Sequence, residues 1–179
     1  CDATDPAAVA DLFQAIDKDL GTPDLTVYNA GGFGRSPVLE TKPEDFELYW
    51  RIGCFGGFLV GQQAGRRMLD KGAGTIIFTG ATAAMRGGAN FSNLSSPKFA
   101  LRGLAQSMAR ELGPQGIHVA HVIVDGQIEA ESRMHMVEER GPDSLLKPDE
   151  IAANYLYVHN QPRSAWTQEF DLRPWVENF

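Results

Sequence analysis

Apolar positions along this chain alternate between a helical and a strand-like period. After Asp5-Pro6, the residues Val9, Leu12, Phe13, Ile16 and Leu20 recur at helical spacing. Asp5 is placed to cap that helix, Pro6 suits its first turn, and Gly21 stops it. Leu25 to Tyr28 reads as a short strand closed by the Gly-rich run Asn29-Ala30-Gly31-Gly32-Phe33-Gly34. Thr41-x-x-Glu44 has the form of a capping box and opens a long helical segment reaching Leu69, with Phe46, Trp50, Val60, Ala64 and Met68 on its buried side. Gly53, Gly56 and Gly57 interrupt it. Each costs about 1 kcal/mol relative to Ala in a helix, so the spacing predicts close packing against a neighbour there.

Gly74 leads into a second strand, Thr75 to Thr79, followed by Gly80-Ala81-Thr82 and a loop through Gly87-Gly88. Leu101, Leu104, Ala105, Met108 and Leu112 then mark a central amphipathic helix that Gly113-Pro114 ends. Ile117 to Val124 is a β-branched run suited to a parallel strand buried on both faces. Glu129 to Glu139 is polar and reads as a mobile helical flap; Pro148-Asp149-Glu150 starts another helix, and Trp166 to Leu172 is the last strand. Repeats, low-complexity tracts and linkers are missing from the sequence. Strands alternating with helices predict an α/β fold over residues 1–179: one domain, with a doubly wound parallel sheet of about four strands in sequential order. In such a sheet ligands bind at the carboxyl ends of the strands, which singles out the loops at Asn29, Ala81 and Asp125.

Composition narrows the partners. A net charge of −7 argues against nucleic acid, which calls for clustered Lys and Arg. Apolar runs fall short of the roughly 20 residues that span a bilayer, and a basic segment followed by an apolar one is not seen at the start. Cys1 and Cys54 lack metal-ligand or C-x-x-C spacing and read as reduced thiols, which implies a cytoplasmic protein. A chain that opens CDATDP reads as the middle of something longer.

From end to end, the order of short motifs resembles the short-chain dehydrogenase/reductase family, starting at the turn after that family's third strand. Asp2 stands where the family hydrogen-bonds adenine, and Tyr28-Asn29-Ala30-Gly31 resembles its Asn-Asn-Ala-Gly motif. Trp50 through Phe58 is similar to its Asn-x-x-Gly-x-Phe segment, Lys98-Phe99-Ala100-Leu101 to the Lys that follows its catalytic Tyr, and Asp125-Gly126 to its Pro-Gly beside the nicotinamide. The resemblance implies a Rossmann-like fold lacking the first βαβ unit. It implies NAD or NADP as cofactor, held by Asp2, Asn29, Ala30, Gly31, Lys98 and Gly126, and Lys98 as the surviving catalytic residue. It also implies interconversion of a hydroxyl and a carbonyl on a small molecule, and a homo-oligomer paired through the helices matching 41–69 and 97–112.

The departures concern the chemistry. The family's Gly-x-x-x-Gly-x-Gly turn, which cradles the pyrophosphate, has no counterpart in the sequence. The family's Tyr, Ser and Asn fall on Leu94, Ala81 and Gly53, and Leu cannot exchange a proton. Pro97 reads as a first-turn proline, which would start the helix after Leu94 and take that position out of register with Lys98. Thr82 and Tyr28 are the hydroxyls left near the crevice. His118 and His121, three apart on a strand, point to opposite faces and cannot act together. Two functions follow as expectations: a nicotinamide-dependent oxidoreductase with a depleted site, or a catalytically silent relative that binds or oligomerises. A variant site completed by an upstream unit is a third.

Overall fold

Residues 1–178 are described by a computed structural model. Four parallel strands, β1 (Leu25–Tyr28), β2 (Gly74–Ala81), β3 (Ile117–Val124) and β4 (Glu169–Leu172), stand in sequential order. Helices α1 (Pro6–Asp19), α3 (Gly56–Lys71) and α4 (Ser92–Leu112) pack on one face, burying Val9, Phe13, Met68 and Leu101 against Ile76, Phe78 and Val119. Helix α6 (Pro148–His159) covers the other face, with Tyr155 and Val158 against Ile77, Ala120 and Val122. β3 is buried at every position, as its uninterrupted apolar run requires. α1 begins as expected: the Asp5 carboxylate accepts from Ala7 N, with Pro6 at the first helical position.

The long segment from Thr41 to Leu69 is not one helix. α2 (Pro43–Trp50) runs into a π-helical turn, Arg51–Phe55, before α3 starts. Its N-cap is Lys42, which makes no side-chain cap bond; Thr41 instead donates its hydroxyl to Pro37 O and pairs with Ser36. Ala64 and Met68 are fully buried, whereas Phe46 and Trp50 stay more than a third exposed. The glycines are there for packing. A Cβ on Gly53 would lie 2.6 Å from Pro97 Cβ, one on Gly57 2.6 Å from Leu101 Cδ1, and one on Gly56 would strike the Tyr28 hydroxyl.

Pro97 lies inside α4, not in its first turn. The amides of Leu94 and Ser95 both bond Phe91 O, so the helix is established a turn and a half earlier. A proline this near the N-terminus forfeits one ladder bond, to Asn93 O, and the helix accommodates it. The last strand is also shorter than its apolar pattern: Trp166 stacks on His118, ring centroids 4.7 Å apart, and pairing with β3 begins only at Glu169. The Glu129–Glu139 stretch contains a 3₁₀ turn, Glu131–Arg133, and then α5 (Met134–Arg140).

Candidate functional site

The carboxyl ends of β1, β2 and β3 converge below the N-terminal half of α4. Lys98 points from that helix to the sheet, 7% exposed, and its Nζ donates to Thr79 O at 2.7 Å. Among the described residues no carboxylate lies within 4 Å of it. Burial alone lowers its pKa to about 8. Nζ lies 3.8 Å from where a Cβ on Gly31 would stand, so the floor of the Gly-rich loop rests on the amine.

Leu94 occupies α4 one turn before Lys98, so both project from one face of the same helix. The loss of register expected from Pro97 does not occur. What is missing at Leu94 is the functional group. Gly53 is equally committed, because Pro97 fills the space in which any side chain would lie.

Ala81 closes β2, and the Thr82 hydroxyl beyond it donates to the Asp125 carboxylate. Asp125 is 4% exposed, with Arg173 Nη2 3.7 Å from its other oxygen. Gly126 has φ +146°, and a Cβ there would lie 2.7 Å from Pro174 Cδ, so the backbone and the tail together demand glycine. Thr82 is therefore already engaged. Tyr28 is further still from acid–base service: it is 3% exposed, donates to Ile52 O at 2.5 Å, and burial pushes its phenol up to about 12.

Lys98, Gly31, Ala81 and Asp125–Gly126 thus gather at one end of the sheet, with Asn29 and Ala30 exposed at its rim. Asp2 sits at the outer corner. Its Oδ1 accepts from Thr4 N at 2.8 Å and Thr4 Oγ1 at 2.9 Å, bonds that hold the carboxyl below its usual range. Arg51 ties the same turn to the π-helical segment through Thr4 O.

One constellation has no counterpart in the sequence reading. Arg102, one turn after Lys98, makes a bidentate pair with Glu169 at 2.8 and 2.6 Å. Glu169 also accepts from His121 Nδ1 at 2.9 Å. His121 has no exposure, and Gly80 is flush against its ring; burial lowers its pKa more than the Glu169 bond raises it. Burial opposes the Glu169 charge, yet the bonds from Arg102 and His121 together keep its carboxyl below the ordinary range. The i, i+4 spacing of Lys98 and Arg102 was the visible signal; the partners lie on two other elements. His118 does point to the opposite face, with Nε2 2.8 Å from Thr167 O.

Residues 1–141 match the sequence profile of a family described as short chain dehydrogenase. Over 131 residues the chain is 34% identical to 3-oxoacyl-(acyl-carrier-protein) reductase MabA of Mycobacterium avium, covering 73% of this chain and 51% of that protein. It is 35% identical over 126 residues to L-2,3-butanediol dehydrogenase of Corynebacterium glutamicum, covering 70% and 48%. The chain thus spans about half the length of the curated relatives it matches. A short-chain dehydrogenase from Rhodopseudomonas palustris superposes with a TM-score of 0.82 at 38% identity, covering 98% of this chain and 73% of that one. A 4-hydroxyisoleucine dehydrogenase complexed with NADH superposes at 0.84 with 23% identity, covering 98% and 79%, a likeness of fold.

Proposed function

The chain belongs to the short-chain dehydrogenase family, and from that membership we propose that it holds the nicotinamide end of NAD or NADP at its strand ends while lacking a proton donor for a hydroxyl or carbonyl substrate. Such a cofactor, when bound, supplies or accepts a hydride. Lys98 uses one donor on Thr79 O and has others for the ribose hydroxyls. Asn29, Ala30 and Gly31 are exposed at the rim, and Asp2 keeps a second carboxylate oxygen for an adenine amine. The N-terminus of α1 is closed by the Asp5 carboxylate, so that helix is not where the pyrophosphate would lie.

One observation carries the reading: Lys98 is rigidly placed, and the residue one helical turn before it is Leu94. General acid–base transfer contributes roughly 10²–10⁴-fold, and Leu94 supplies none of it. Titrating NADH and NADPH by nicotinamide fluorescence tests the binding half; saturable binding lost in Lys98→Ala is expected, and no saturable change overturns it. Family-like turnover of a ketone by the unaltered chain overturns the other half.

A second reading, a silent module that self-associates, is favoured by the aromatic row Trp50, Phe55 and Phe58, stacked at 6.3 and 6.4 Å, with Trp50 and Phe58 each 39% exposed. Light scattering that gives a monomer at all concentrations would remove it.

A further inference from the structure

Among the described residues, side chains of α4 bond the sheet at two places: Lys98 at Thr79 O of β2, and Arg102 at Glu169 of β4. The two stand one turn apart on one face of the helix. Apolar packing at Leu101, Ala105 and Leu112 fixes how near α4 lies to the sheet, but it is non-directional and does not set roll or slide. Directional bonds do. Lys98 offers one donor on a flexible stem, and the turn before it is short of a ladder bond at Pro97. The Arg102 guanidinium is instead a planar fork, held at 2.8 and 2.6 Å on the two oxygens of one carboxylate.

That carboxylate is itself braced. Glu169 opens β4 in register with His121 of β3, and its Oε2 accepts from His121 Nδ1 as well as from Arg102 Nε. A carboxylate only accepts, so Nδ1 carries the ring proton. Gly80 of β2 is packed against the far side of the ring, so His121 cannot retreat from Glu169. Three strands thus stand behind the placing of one helical turn. From this geometry we propose that Glu169 is a positioning residue for Lys98: through Arg102 it fixes the roll and slide of α4, and so the point at which Nζ stands over β2. What the amine then does for a cofactor rests on the function proposed above; where it stands does not.

The test reads Lys98 directly, by 13C NMR of the whole chain labelled at lysine Cε and titrated with alkali, the Lys98 signal being the one lost in Lys98→Met. Burial holds its titration down, to about 8. The groups around it are the Thr79 carbonyl, Gly31, Arg102 and His121, with Glu169 as the carboxylate that balances Arg102. Glu169→Gln deletes that negative charge, which by electrostatics alone lowers the Lys98 midpoint further. Release of the turn into water acts the other way and raises it toward the ordinary lysine value, roughly 10.4. A rise of about one pH unit or more is expected in Glu169→Gln, and a smaller one in Arg102→Lys, which keeps the charge and loses the fork. The Arg102 and Glu169 side chains are 26% and 19% exposed, so the partner left behind in either variant reaches water and the fold is retained. A midpoint that stays or falls in both variants overturns the inference, whatever urea stability they lose. NADH affinity should weaken about tenfold in Glu169→Gln, the worth of one bond from a charged donor. A displaced Lys98 in a protein whose wild type never binds NADH sinks the cofactor reading alone; an unmoved Lys98 in one whose wild type binds it sinks the positioning role alone.

Discussion

Replacing Lys98 by Met should change how stability depends on pH, and the size of the change follows from the site. A lysine in the unfolded chain titrates near 10.5, and burial lowers the folded value to about 8. Between those values the unfolded state binds more protons than the folded one, so stability rises with pH through that window. Below pH 8 the full penalty applies, about 3 kcal/mol at 1.36 kcal/mol per pH unit. Roughly 2 kcal/mol of it is relieved by pH 9.5. Met keeps the apolar stem and removes the charge, but orphans Thr79 O at a cost of about 1–3 kcal/mol, so the two proteins should be close at pH 7. Urea denaturation at pH 7, 8, 9 and 9.5 reads the difference directly, and the titrations of Cys54 and Tyr28 cancel in it. The wild type should gain about 2 kcal/mol on Lys98→Met across the series. Parallel curves would mean that Lys98 is solvated and that its burial has been misread.

Three further experiments probe the surroundings. Gly53→Asn forces a Cβ to 2.6 Å from Pro97 Cβ and should cost about 1–3 kcal/mol in urea denaturation; Pro97→Gly should recover most of this and Pro97→Ala, which retains Cβ, little of it. Equal rescue by both would locate the strain elsewhere. Tyr28→Phe removes the bond to Ile52 O and should lower stability by about 1 kcal/mol while leaving NADH affinity unchanged; altered affinity would return the phenol to the crevice. Leu94→Tyr with Ala81→Ser places a phenol one turn from Lys98 and should raise NADH-dependent reduction of a small ketone by about 10²-fold; no gain in a protein that still binds NADH would mean that proton transfer is not what is missing.

Some of this molecule was legible in its sequence and some was not, for a common reason. β1 and β3 begin and end where their apolar runs do, and β3, buried on both faces, leaves its mark on consecutive residues. The same holds for the start of α1, where cap and proline are neighbours. The break at Arg51–Phe55 lies beyond such rules: Gly53 within it packs against Pro97, more than forty residues on. Pro97 itself misled, since local preference puts a proline in the first turn, while the bonds to Phe91 O extend the helix upstream of it. The glycines signalled close packing correctly but not against what. At the site, the resemblance points to Leu94, Ala81 and Gly53, and the structure places Leu94 one turn before Lys98 on α4. The burial of Lys98 and the His121–Glu169–Arg102 array could not be read off, because each member comes from a different element.

The acceptor that anchors Lys98 is a main-chain oxygen, so the bond that holds it depends on no neighbouring side chain. No point substitution at Thr79 other than one that bends the strand deletes a carbonyl. The address of the ammonium is therefore written in the alignment of β2 under α4 and not in the identity of any neighbour. A substitution at Leu94 or Ala81 removes no bond to Lys98 and leaves the amine aimed where it is. Whatever such a crevice is recruited for next inherits a positioned amine at no further cost.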